Sequence, residues 1–421
     1  MSTAPFILLP ILVLLFCAQT ESKTHWADVK VLRQLKQSLD PNSVHPGSCV
    51  STWDFSIDPC DNLYGQKFTC GFRCDLVVSG KTHVTDIELD HAGYSGSIVK
   101  VPWSLILQLQ SLDLSSNSLS GSIPTSLSSL TQLRRLGLSS NSFSGEIPDS
   151  IGSMKNLEEL FLNHNRFTGT VPYSLHGLKG LKRLELQGNK LTGQFPDLGS
   201  LQNLSFLDAS DNTISGVLPA NFPTNLVQLT MRNNSLQGTV PDSVQYLNYL
   251  QVIDLSHNKL SGPVPRILFS HPSLQQLTLT NNQFTSVQIP ASLGTESNLI
   301  ALDMSQNQLR GFLPGFLALM PKLSALSLEK NKFTGLIPIQ YAMRVVFPAE
   351  GVLPFVRLLL SGNYLFGPIP APFLGMKVGS SAMVKLGGNC FYRCPMRFFF
   401  CQGGGEQRSS SECKNFVPLI P

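Results

Sequence analysis

Among the residues able to do chemistry, the cysteines are placed most regularly. Nine occur in 421 residues. Cys17 lies in an apolar N-terminal run. Cys49, Cys60, Cys70 and Cys74 form one group and Cys390, Cys394, Cys401 and Cys413 a second, with none between. An even number in each group suits a disulfide framework made in an oxidising compartment. Zinc would ask for paired Cys-x-x-Cys spacings or histidines close by, and the spacings here are irregular, so disulfides are expected. The other candidates are thinner. His164 and His257 each precede an asparagine at the same place in a repeating pattern. They lie four repeats apart, roughly 19 Å at the ~4.8 Å spacing of stacked strands, too far to share a metal. Asp86, Glu88 and Asp90 alternate along one segment and read as a solvated acidic face ahead of a cation site. No G-x-S-x-G, H-E-x-x-H, phosphate loop or kinase signature occurs. No catalytic residue, metal or cofactor is expected, and an enzyme is not the expected function.

What the chain does carry is a set of side chains presented at a fixed interval. The segment Leu157 to Pro172 is one copy of a unit written L-x-x-L-x-L-x-x-N-x-L/F-x-G-x-I/V-P. Its asparagine recurs as Asn117, Asn141, Asn165, Asn189, Asn212, Asn234, Asn258, Asn282, Asn307, Asn331 and Asn363, at gaps of 22 to 25 residues except for 32 at the last. A first copy begins at Val84 with Ala92 in place of asparagine, and a terminal fragment ends at Asn389. In L-x-L the apolar residues alternate, so the leucines face inward and their neighbours outward, as in a short strand. Stacked edge to edge, such strands form a parallel sheet along the inner side of a curved solenoid. The asparagine amide follows, where it can bond otherwise unpaired backbone of adjacent turns. Glycine permits the next bend and proline closes the unit.

The outward positions of that sheet are the expected binding face. Arg135, Glu159, Phe161, Asn163, Arg183, Glu185, Phe206, Asp208, Gln228 and Arg232 are the candidates. Phe161 and Phe206 stand out, because the pattern places two aromatic rings outside the core beside charged groups. Asp208, Asp254 and Asp303 share one repeat position. Two N-glycosylation sequons begin at Asn203 and Asn233. About eight extra residues between Asn331 and Asn363, around Gln340 to Pro354, read as a tolerated bulge on the outer side. The unit after Asn282 has Ser286 in place of glycine and reads as a local bulge.

The flanks complete the organisation. Residues 1–22 read as a secretory signal peptide with an apolar stretch from Phe6 to Phe16. Residues 23–83 read as a cysteine-containing cap with a helix over 26–40 and a buried Trp53, residues 84–389 as the repeats, and residues 390–421 as a second cap. Caps are required because an open end would expose apolar side chains and a sheet edge. The net charge of +4, without a basic run, gives no reason to expect nucleic acid. No later segment reads as a membrane span.

The unit, with copies such as Leu114 to Pro124, resembles the plant-type leucine-rich repeat. The short Lys/Leu helix, Trp53 and the four-cysteine flanks are similar to the ectodomains of plant receptor-like proteins and receptor kinases, and to the secreted polygalacturonase-inhibiting proteins. The first cap departs from the commoner family form, with Phe68 to Cys74 replacing a Trp-x-Gly-Val-x-Cys run. The resemblance implies an α/β solenoid, a right-handed leucine-rich-repeat superhelix of about 12 plant-type repeats with disulfide-bonded caps. It implies an extracellular recognition protein, without its own kinase, that binds a protein, peptide or glycan ligand or a partner ectodomain on its concave and lateral faces and works with a membrane receptor kinase. Secretion to the apoplast or cell wall would follow. The second expectation is an inhibitor of a secreted wall-degrading enzyme.

Overall fold

A computed structural model of the chain describes residues 23–377, 379–391, 394–395, 398–402 and 406–414. The signal expected over residues 1–22, Cys17 included, lies outside them. Each L-x-L segment forms a three-residue strand. Arg135–Gly137, Glu159–Phe161, Arg183–Glu185 and Phe206–Asp208 pair in parallel, with Leu136, Leu160, Leu184 and Leu207 in one register. These leucines are fully buried, while most of their neighbours are half-buried on the opposite face. The sheet has fourteen strands. Thirteen come from the repeats and their terminal fragment. Phe72–Arg73 of the first cap adds antiparallel at one edge, and Met383–Lys385 closes the other. The first cap thus covers one sheet edge with a strand, and at the other end the Phe400 carbonyl of the second cap accepts the Leu386 N–H at 2.7 Å.

Past the strand the chain turns sharply, and the residue before each asparagine adopts left-handed backbone. Ser116, Ser140, His164, Asp211, Asn233, His257, Asn281, Gln306 and Lys330 all have φ between 52° and 56°. His164 and His257 thus occupy a turn, a place where asparagine, aspartate and histidine are the most tolerated non-glycine residues. The asparagine then bridges two repeats. Asn165 Oδ1 accepts the Phe143 N–H at 3.0 Å, and its Nδ2 donates to the carbonyls of Leu138 and Leu162 at 2.8 and 3.2 Å. The same pattern runs from Asn117 to Asn389, the last being fully buried and a complete rung. Beyond it Gly169, at φ +74°, passes so close to Glu146 that a Cβ would lie 2.8 Å from Cγ. The closing prolines start short 3-10 helices on the convex side, for example Asp149–Ser153 after Pro148 and Tyr173–Gly177 after Pro172.

In the first cap, the helix Trp26–Ser38 buries Val31, Leu32 and Leu35. Trp53 is buried and donates its indole N–H to the Cys70 carbonyl at 3.0 Å. The disulfides are Cys49–Cys70 and Cys60–Cys74 there, and Cys390–Cys413 and Cys394–Cys401 at the other end. The first repeat lacks the asparagine, and the cap compensates. Asp90 accepts the Cys49 N–H at 3.1 Å and the Tyr94 hydroxyl at 2.6 Å. Asp86 accepts the Thr85 hydroxyl at 2.7 Å and sits 3.8 Å from Arg73. Asp86, Glu88 and Asp90 are therefore not a free acidic face, because two of the three bond to neighbouring groups.

The insertion near Gln340 also departs from expectation. It is not a loose bulge but a helix, Ile339–Val346, packed on the convex side with Tyr341 and Ala342 fully buried. Arg344 is 3% exposed. Its guanidinium donates to the carbonyls of Leu353, Ala318, Pro321 and Leu323 at 2.7, 2.8, 3.2 and 2.8 Å and lies over the Phe355 ring at 4.8 Å. Burial pushes its pKa down to about 10, which still leaves it charged at neutral pH. The register shift expected after Asn282 occurs where Lys259–Val264 pairs with Gln283–Val287, between Gly262 and Pro263.

Substitutions at Asn165 and Arg344, with Arg166 as a control, test this accounting. Asn165→Ala leaves the buried Phe143 N–H unpaired and takes one of two donors from the Leu138 carbonyl, and should lower stability by about 1–3 kcal/mol. Arg166→Ala, at the exposed next position, should stay within about 0.5 kcal/mol of the parent by denaturant midpoint. Arg344→Met leaves the buried Ala318 and Leu323 carbonyls without their donor, and Arg344→Lys cannot reproduce the fork. Both should lower stability, read from the denaturant midpoint, by about 3 kcal/mol or more and open residues 340–354 to protease. Midpoints equal to the parent's would show that other groups satisfy those carbonyls.

Candidate functional site

The register that buries the leucines also aligns the residues beside them. Position by position, Asp113, Gly137, Phe161, Glu185 and Asp208 form one row across the concave face, and Ser111, Arg135, Glu159, Arg183 and Phe206 the next. Seven of the ten expected binding residues, Arg135, Glu159, Phe161, Arg183, Glu185, Phe206 and Asp208, therefore meet on four adjacent strands. Arg135 is the centre of one group. Its guanidinium bonds Asp113 at 3.0 Å and Glu159 at 2.5 Å and lies 4.4 Å from the Phe161 ring centre. Arg183 bonds Glu185 at 2.6 Å and covers the Phe206 ring at 3.7 Å, with Phe161 at 5.9 Å on its other side. Phe161 and Phe206 are thus half-buried under cations and are not bare apolar anchors. Each such contact contributes on the order of 0.5–2 kcal/mol, depending on desolvation.

Of the other three candidates, Gln228 stands beside Phe206 on the next strand of the sheet, and Arg232 and Asn163 lie past the strand ends. Gln228 bonds Thr230 on its own strand at 3.3 Å, and Arg232 reaches Asp211 at 3.3 Å in an exposed turn. Asn163 follows the strand; its side-chain oxygen is buried and has no hydrogen-bond partner among the described residues, and the same holds for Gln187 Oε1 one repeat on. A second ion line was not read from the sequence. Glu158 bonds Lys182 at 2.6 Å and Arg134 at 3.4 Å, one position before the strands. Arg134, Glu158 and Lys182 each stand seven residues before a repeat asparagine, so the shared offset was a usable signal.

The carboxylates at the Asp113 and Asp208 positions share a structural duty. Oδ1 accepts the N–H two residues on, from Ser115 and Ser210, at 2.9 Å in each case. Asp254 and Asp303 do the same to Ser256 and Ser305. Their electrostatics diverge. Burial acts to raise Asp113, but the bonds from Ser115 and Arg135 outweigh it and hold the carboxyl below its usual range. Burial raises Asp208, and the charges of Glu185 and Asp211 reinforce it over the bond from Ser210. The two sequon residues are exposed. Asn203 Nδ2 donates to the Lys179 carbonyl at 2.9 Å, and Asn233 Nδ2 to Asp211 at 2.8 Å.

The chain matches the model of the leucine-rich repeat region over residues 95–356. It is 36% identical to Receptor like protein 23 of Arabidopsis thaliana over 104 residues, covering 24% of this chain and 12% of that protein. Among solved structures it is similar to the plant peptide hormone receptor RGFR1 in complex with RGF2, at TM-score 0.66 and 29% identity over 73% of this chain and 48% of that one. It is also similar to PEPR1–AtPEP1, at TM-score 0.64 and 28% identity over 87% and 55% of the two chains. The match thus spans about an eighth of that curated relative and about half of the solved chains.

The opposite shifts of Asp113 and Asp208 give opposite stability effects. A lowered carboxyl stabilises the fold above its unfolded value, about 3.9, and that contribution is lost as pH falls through the folded value. A raised one stabilises below the unfolded value, and the contribution is lost as pH rises through the folded value. At pH 7, Asp113→Asn should lower the thermal midpoint and Asp208→Asn should hold or raise it. The gap between the two variants should narrow by pH 3. Equal midpoints at pH 7 would contradict this assignment.

Proposed function

The chain belongs to the leucine-rich repeat family, and from that membership we propose that it is an extracellular recognition protein whose concave face binds a peptide. The observation that carries this reading is the Arg135–Phe161–Arg183–Phe206 stack, four alternating cations and rings on adjacent strands with two carboxylates closing its sides. It offers flat apolar surface with polar groups at a fixed spacing. Because the strands are held from behind, little ordering is needed on binding. Solved structures with a similar fold hold peptides. Four disulfides suit a secreted chain, with residues 1–22 as its secretion signal and glycans on Asn203 and Asn233. Among the described residues no helix is long and apolar enough to cross a membrane, and a membrane receptor kinase would be the partner that carries the signal onward. The pairing of Arg135 and Arg183 with carboxylates weighs against an inhibitor that needs a cationic strip.

The test is binding of the secreted chain to a panel of short synthetic peptides by calorimetry. For any peptide that binds, Phe161→Ala and Phe206→Ala should each weaken Kd by roughly tenfold or more, the scale of a central aromatic contact. Affinities unchanged in both variants would remove this face as the site.

A further inference from the structure

We propose that His25, Asp28 and His83 form a divalent-metal site, best suited to zinc, that joins the N-terminal helix to the hairpin beside it. The backbone brings them together. Thr24 pairs with Thr82 as a parallel bridge, the His25 N–H donates to the Thr82 carbonyl at 2.8 Å, and the Thr82 N–H donates to Lys23 at 2.6 Å. His25 and His83 therefore stand on hydrogen-bonded neighbouring segments, with their rings stacked at 4.7 Å. Asp28 lies three residues after His25, in the first turn of the helix Trp26–Ser38, so it projects to the same side.

Asp28 is 1% exposed, and its two oxygens are treated differently. Oδ2 accepts the Val84 N–H at 2.9 Å and contacts His83 Nδ1 at 3.0 Å. Oδ1 points toward His25 Nδ1 at 3.9 Å, too long for a hydrogen bond. Both of those atoms are buried, and neither has a hydrogen-bond partner among the described residues. A carboxylate oxygen and an imidazole nitrogen facing each other at that distance leave room for one shared atom. The three ligand groups come within 4.8 Å of one another. Bonds of about 2.0–2.2 Å in a tetrahedron put neighbouring ligand atoms roughly 3.4 Å apart, so modest side-chain rotation brings them to a common centre.

The donor set points to the metal. Two imidazoles and one carboxylate are the protein ligands of an open tetrahedral zinc centre, with water as the fourth. The water has a place, because the His25 side chain is 33% exposed while His83 and Asp28 are 12% and 1% exposed. The Val84 N–H would remain as the outer bond orienting the carboxylate. A plain histidine–aspartate hydrogen bond accounts for Oδ2 and His83, but it leaves Oδ1 and His25 Nδ1 without partners. The metal would tie segments far apart in sequence at the end of the solenoid where the first sheet edge is covered.

The experiment uses the secreted chain, stripped with chelator, dialysed and titrated with zinc chloride by calorimetry, with thermal unfolding alongside. The expected result is one zinc per chain and a thermal midpoint that rises with zinc. His25→Gln and His83→Gln should each weaken Kd by at least the roughly 10–100-fold seen on losing an outer partner, and should abolish the rise in midpoint. His45→Gln, at an exposed position elsewhere, should bind as the parent does. If His83→Gln fails to fold, His25→Gln decides alone, because its side chain leaves no bonded group behind. Absence of saturable binding at a Kd of about 100 µM or tighter overturns the site, as does parental affinity in the His25 variant.

Discussion

One amide per repeat holds this solenoid together. Each strand has only three residues, so it leaves the chain with backbone donors and acceptors that no regular element can satisfy. The asparagine supplies both kinds from one planar group. Its oxygen takes an N–H of the preceding repeat, and its nitrogen donates to a carbonyl in each of two repeats. Aspartate would lack the donor and leucine would lack both, so the position admits little else. The left-handed residue before each rung follows from this demand, since it aims the amide inward. Stacking of the rungs then sets the register of every strand.

That register has a consequence for the outer face. Since Leu136, Leu160, Leu184 and Leu207 must align, the residues on either side of them must align as well. A row of surface side chains at strand spacing is forced by the interior, whatever their identity. Identity alone then decides whether neighbours attract. Arg135 between Asp113 and Glu159, and Arg183 between two rings, are what the alignment makes of these residue types. The ends obey the same logic in reverse. With no further repeat to pair, the first repeat uses Asp90 and Tyr94 to accept the Cys49 and Val50 N–H groups of the first cap, and the second cap uses Arg408, whose guanidinium donates to the Asn363 and Gly362 carbonyls.

The strands and rungs could be read directly because each depends on residues a few positions apart, repeated many times. The outward residues of the concave face could be read for the same reason. What they do there could not. The cations over Phe161 and Phe206 depend on side-chain rotamers that one sequence does not specify. Arg344 was hidden for another reason. The extra residues break the period, so nothing marked Ile339–Val346 as a helix or its arginine as a donor to four carbonyls. His25, Asp28 and His83 were missed because the His83 partner lies outside any local spacing, brought in by the hairpin. The acidic trio at Asp86 was misread because the repeat pattern alone says nothing about what the cap lays against it.

The pairing on the concave face also shapes how a ligand could be chosen there. A carboxylate arriving at Arg135 or Arg183 must compete with Glu159, Asp113 or Glu185, which are already in place. Net electrostatic gain from such an exchange is small, since one ion pair replaces another. The rings are different. Phe161 and Phe206 remain half-exposed beside the guanidinium groups, so an apolar group packed on the remaining ring surface gains buried area without breaking an ion pair. Selectivity on this face should therefore come from apolar shape against the two rings. The paired charges then act chiefly as a penalty on ligands that would bury them without replacing their partners.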